Sequence, residues 1–176
     1  MASEHYLTIR LDPHYQQFLR KHFNCPEEIF EFPARSYFNN MIEALAVTKK
    51  LAFHIPETDP WAFKIYLPNF SYKNAAFFRY LTEVQMGVFK GEIKYYYDRI
   101  IQRRITDLME TKEDTTLGGL MKLGRKQCTL LLIDEYGFDE KDRNSFDRIY
   151  KSYIRWDNNQ RAHIYQLEKS DKKVKC

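Results

Sequence analysis

Asn144, Arg148, Lys151 and Arg155 recur at steps of four, three and four. On an α-helix that spacing puts all four side chains on one face. Their types suit nucleic acid. Arginine bonds guanine through two parallel hydrogen bonds, asparagine does the same to adenine, and lysine meets phosphate as a point charge. Arg143 and Arg161 flank the set and would add phosphate contacts. Four acids, Asp139, Glu140, Asp142 and Asp147, stand near the start of the same segment. They complement a helix dipole but repel phosphate, so they favour the alternative of a plain helical hairpin with a solvated basic face.

Other groupings offer less chemistry. His14 and His22 lie two helical turns apart, but no carboxylate or cysteine beside them completes a metal set. Cys25 has His22 three residues back, yet no oxyanion element accompanies the pair. Gly119 to Lys126 has the glycine spacing of a P-loop. Arg125 and Lys126 stand where that loop requires lysine and then serine or threonine, and no strand precedes it. Tyr95, Tyr96 and Tyr97 would offer stacking platforms to single-stranded nucleic acid, although such rings more often divide between core and rim. The expectation is a protein that is not an enzyme and that has no cofactor and no metal.

The elements that must hold the basic face come next. Residues 117–136 read as a helix, Gly137 as its left-handed end, and Asp139 as the cap of a last helix over 142–157. Helix, tight turn and helix is the outline of a helix-turn-helix, whose second helix lies in the major groove. Upstream, residues 74–111 contain no proline and read as one long central helix. Its expected inner stripe is Phe77, Leu81, Val84 and Val88, followed by Ile93, Tyr96, Tyr97, Ile100, Ile101, Ile105 and Leu108. The two halves of that stripe do not join in phase. Gly87 and Gly91 at the junction predict a kink or a close helix contact. Lys90, Lys94, Arg99, Gln102, Arg103 and Arg104 form the opposite face.

Earlier still, Leu7, Ile9 and Leu11 alternate with polar residues and predict a strand. Asp12 and Pro13 then start a helix over 14–23, and Ser36 caps another through Ala46. Residues 27–33 read as a loop that packs back by its rings. Alternation over 51–55 and 63–67 predicts a hairpin, which the first strand joins. The fold class is therefore α+β: helices on a small three-stranded antiparallel sheet, with a long central helix and a C-terminal helical hairpin resembling a helix-turn-helix. The expected organisation is a core over 1–111, the hairpin over 117–160 and a basic tail over 161–176.

Composition narrows the function. Excess positive charge is confined to the last third. From Leu117 onward thirteen Lys or Arg face nine Asp or Glu, whereas the preceding residues hold fifteen of each. An anionic partner would meet that end first. No stretch reaches the roughly 18 apolar residues of a membrane helix, and the first ten residues lack the apolar run of a signal peptide. Three scattered cysteines, Cys25, Cys128 and Cys176, suit reduced thiols, so the cytoplasm is the expected location, with no membrane partner. Aromatic residues make up 16% of the chain, enough to fill a core and leave some for interfaces. Two functions follow from these readings. One is a nucleic-acid-binding accessory protein that contacts DNA through the last helix. The other is an interaction or scaffold module whose exposed rings hold a protein partner or a second copy.

Three segments carry a resemblance: D-P-H-Y-Q-Q-F-L-R after the first strand, K-I-Y-L-P before the long helix, and the closing L-I-D-E-Y-G-F-D-E-K-D-R-N-S-F-D-R-I-Y-K-S-Y-I-R. In these the chain resembles small proteins encoded on phages and integrated mobile elements of gut-type bacteria. The resemblance implies a DNA-handling or regulatory role on such an element. It carries no activity and assigns no site residue.

Overall fold

The computed structural model describes residues 5–49, 53–56, 58–68, 70–111, 123–138 and 143–174; the side chains of 110, 111, 143 and 164–174 lie outside that description. In chain order the elements are β1 (Tyr6–Arg10), α1 (Pro13–His22), β2 (Ile29–Phe30), α2 (Tyr37–Leu45), β3 (Ala62–Tyr66), α3 (Glu83–Thr111), α4 (Arg125–Tyr136) and α5 (Arg143–Val174). The chain divides into two compact units, Met1–Tyr96 and Tyr97–Cys176, with the boundary inside α3. The link expected at 112–116 lies outside the described residues.

In the first unit the α+β class holds, but the sheet is mixed, not antiparallel. Its order is β1-β3-β2. β1 runs antiparallel to β3, with Leu7 opposite Ile65 and Ile9 opposite Phe63. β2 runs parallel to β3, with Phe30 opposite Ile65. The expected hairpin is replaced by this arrangement. Phe53 to Ile55 form no strand; instead the Phe53 amide donates to the Leu81 carbonyl at 2.9 Å. Leu51 and Ala52 of the expected strand lie outside the described residues. Two residues of β2 are too few to show an alternating pattern, which is why 27–33 read as a loop.

Rings hold that segment in place. Phe32 is fully buried, stacked on Phe38 at 4.7 Å and edge-on to Phe30 at 4.8 Å, Phe23 at 5.8 Å and Phe89 at 6.3 Å. The Arg20 guanidinium donates to the carbonyls of Glu27 and Glu28, and it lies 5.1 Å from the Phe63 ring. That clamp satisfies backbone oxygens just ahead of β2. Caps fall where the sequence places them. The Asp12 carboxylate accepts from the His14 amide at 2.9 Å and the Ser36 hydroxyl from the Asn39 amide at 3.3 Å. The candidate histidine and cysteine serve packing. His22 shares a 2.8 Å hydrogen bond with the Tyr96 hydroxyl and stacks on Phe18 at 5.3 Å. The buried Cys25 sulfur accepts from the Glu31 amide at 3.4 Å. Burial raises the Tyr96 phenol above its ordinary range.

α3 begins nine residues later than the sequence suggests. Asn74 turns the chain first: its side-chain oxygen accepts from the Ala76 amide at 2.9 Å, and its carbonyl accepts from Phe77 and Phe78. The helix then starts on a reciprocal cap. The Thr82 hydroxyl accepts from the Gln85 amide at 3.3 Å, and the Gln85 side chain accepts from the Thr82 amide at 2.9 Å. The buried stripe is Met86, Phe89, Ile93, Tyr97, Ile101, Ile105 and Leu108, continuous in steps of three and four. Phe77, Val84 and Val88, assigned inward from the sequence, are exposed. The apparent phase break came from taking the wrong valines. Nor do the glycines serve a close contact among the described residues. A Cβ at Gly87 or Gly91 would meet nothing within 4 Å. Each glycine nevertheless costs the helix about 1 kcal/mol relative to alanine.

The second unit packs the C-terminal part of α3 with α4 and α5. α4 buries Cys128, Thr129, Leu132, Ile133 and Tyr136; α5 buries Ser145, Ile149 and Tyr153. Their directions follow from two observations. The link between them is short, and Arg125 at the start of α4 pairs at 2.6 Å with Asp157, well along α5. The two helices therefore run back along each other as a hairpin. Gly137 ends α4 at φ 66°; its amide donates to the Asp134 carbonyl at 3.0 Å, and the Phe138 amide to the Ile133 carbonyl at 2.9 Å. Gly137→Ala should therefore lower stability by about 1–2 kcal/mol, the cost of a Cβ in a left-handed residue. Urea unfolding measures it; an unchanged midpoint would mean the cap is dispensable.

α5 is longer than expected. It covers 32 residues, where 142–157 was expected, and its backbone is helical to Val174. No glycine or proline interrupts 143–174, and Gln, Arg, Ala, Leu, Glu and Lys are good helix formers. Asp139, the expected cap, and the rest of 139–142 lie outside the described residues.

Candidate nucleic-acid interface

Asn144, Arg148, Lys151 and Arg155 are all exposed on α5, and Ser145, Ile149 and Tyr153 are buried on its opposite side. The 3.6-residue period fixes this division once Ile149 and Tyr153 are inside. The side chain of Arg143 lies outside the described residues. Arg161, 68% exposed, pairs with Asp157 at 3.3 Å. Of the four acids near the start of the helix, only Asp147 is described, and it pairs with Lys151 at 2.7 Å one turn on. Lys151 is thus partly neutralised on its own helix, an exposed pair of a kind worth less than about 1 kcal/mol. Arg155 has no ion pair among the described residues.

A second feature adjoins this face. Trp156 follows Arg155 and points about 100° round the helix. It closes a cleft of about 300 Å³ with Arg99, Gln102, Arg103, Thr106 and Asp107 of α3. Two contacts set α5 against α3 here. The Ser152 hydroxyl donates to the Asp98 carboxylate at 2.7 Å, and the Tyr153 hydroxyl to the Met109 sulfur at 3.5 Å. Arg99 and Arg103 are exposed at the rim. Arg104 is not part of the cleft. Its guanidinium donates to both Glu135 oxygens at 2.8 and 2.9 Å, and that bond holds it more firmly protonated than a free guanidinium.

The sequence pointed to Arg99, Gln102 and Arg103 as an outer face but not to Trp156 as their neighbour. The available signal was the step of three from Tyr153 to Trp156, which places the indole at the edge of the buried stripe. Chemically the interface offers guanidinium and amide donors along one helix edge. Beside them lies a cleft with an aromatic wall and two arginines. Among the described residues no group of three or more His, Cys, Asp or Glu could hold a metal ion, and no helix is long and apolar enough to cross a membrane. In comparisons with known proteins, no family model, no curated protein and no solved structure matches the chain.

Proposed function

We propose that the protein binds DNA without catalysing a reaction, through the outer face of α5. The supporting observation is the common exposure of Asn144, Arg148, Lys151 and Arg155 along one side of a helix about 48 Å long. A helix of this kind fits the major groove, where arginine and asparagine address bases and the remaining cations address phosphates. The α4–α5 hairpin serves as a helix-turn-helix-like mount, with α5 as the recognition helix. Arg161 and the cleft rim at Arg99 and Arg103 extend the contact along the phosphate backbone. The resemblance to phage and mobile-element proteins accords with an accessory or regulatory role in the cytoplasm of a host cell.

Fluorescence anisotropy with a labelled duplex at about 50 mM salt should give a dissociation constant in the micromolar range or below. Absence of binding there ends the proposal. Asp147→Asn is a sharper variant. It removes the anion paired with Lys151 and should tighten duplex binding several-fold. Weaker binding by this variant would place the phosphate elsewhere.

A further inference from the structure

α3 carries two apolar stripes, and the described residues cover one of them. Val84 is 77% exposed, Val88 49% and Tyr95 58%. Positions 84, 88, 91 and 95 advance by four, three and four, so they share a face with Gly91, and Gly87 lies beside it. Tyr37 extends the face: it is 61% exposed and its hydroxyl donates to Glu92 on the flank at 3.3 Å. A Cβ at either glycine would meet open space, and neither glycine has a positive φ. Among the described residues nothing therefore requires glycine at these positions. They leave a low apolar saddle that a second helix can approach closely.

The charges beside the saddle specify which helix fits. Glu83 and Lys94 stand on one flank, eleven residues or about 16 Å apart. Both are exposed, and neither has an ion pair among the described residues. When a helix meets its own copy antiparallel about a two-fold axis, each flank faces the same flank of the other. Glu83 then falls opposite Lys94 of the partner subunit, and Lys94 opposite Glu83 of the partner subunit. The same register centres the crossing between positions 88 and 89, beside Val88 and between the glycines. On the other flank Glu92 comes opposite Gln85, so no like charges meet there.

We propose that α3 pairs antiparallel with the α3 of a second copy of this chain through Val84, Gly87, Val88, Gly91 and Tyr95. The pairing uses none of the α5 face and holds whether or not the protein binds DNA.

Sedimentation equilibrium of the full chain over a wide concentration range tests it. The mass should rise from 21.3 kDa toward twice that value. Gly91→Leu fills the saddle while meeting nothing in its own chain. It should remain monomeric, with the parent's helix content by circular dichroism. Lys94→Glu sets like charges together twice and should raise the dissociation constant at least about tenfold. Adding Glu83→Lys to that variant should restore the parent value. A parent that stays monomeric throughout overturns the proposal. Association surviving Gly91→Leu overturns the assignment to this face, and failure of the charge exchange to rescue overturns the antiparallel register.

Discussion

Replacing Arg148, Lys151 and Arg155 together by glutamate is expected to weaken duplex binding about 100-fold or more. Each side chain is exposed on the same face of α5. Each lost contact is worth about 1 kcal/mol or more, and about 3 kcal/mol in total corresponds to two decades of affinity. The fold should tolerate the change, because exposed substitutions away from caps and the core usually shift stability by less than about 0.5 kcal/mol. Anisotropy reads the affinity and circular dichroism the melting temperature. A control separates position from net charge. Lys21, Lys49 and Lys126 are exposed elsewhere, and reversing them changes the total charge by the same amount. An equal loss in that control would show that overall charge, and not the α5 face, governs binding.

Phe32→Ala should lower stability by about 3–5 kcal/mol, the usual cost of emptying a buried phenylalanine site. The ring is fully buried and touches four other phenylalanines, from α2, from α3, from β2 and from the segment after α1. Collapse around the hole would have to move several packed elements at once, so the upper half of that range is expected. Phe77→Ala gives the contrast. Its ring is 66% exposed, and the change should shift the urea midpoint little. If Phe32→Ala cost less than about 1 kcal/mol, the ring cluster would not be what holds β2 beside β3.

These two residues also show where the sequence was readable. Phe32 belongs to a segment whose rings plainly had to be buried, and they are. Its strand could not be seen, because a two-residue parallel pairing leaves no periodic trace and depends on Ile65 and Lys64, 35 residues away. Phe77 was misassigned because the lack of proline was taken as licence for helix. The Asn74 turn and the Thr82–Gln85 cap decide otherwise, and both are short signals that a long apolar pattern overrides easily. Val84 and Val88 satisfied a helical period as well as Met86 and Phe89 do. Periodicity alone does not say which of two stripes faces inward when both are apolar. The α5 face was legible for the opposite reason. Only one side of that helix is apolar enough to bury, so Ile149 and Tyr153 leave Arg148 and Arg155 no other place. What lay beyond reach was pairing in space: Asp157 between Arg125 and Arg161, and Trp156 against the arginines of α3.

The salt dependence of duplex binding by the unaltered chain tests the central claim most directly. Cations that neutralise phosphates release counterions, so log K should fall linearly with log salt, at about 0.9 per phosphate contact. Arg148, Lys151 and Arg155 together predict a slope of about −3, steeper if Arg161 and the cleft arginines join. A slope near zero, or no measurable affinity at the lowest salt, would contradict an α5 face made to meet DNA.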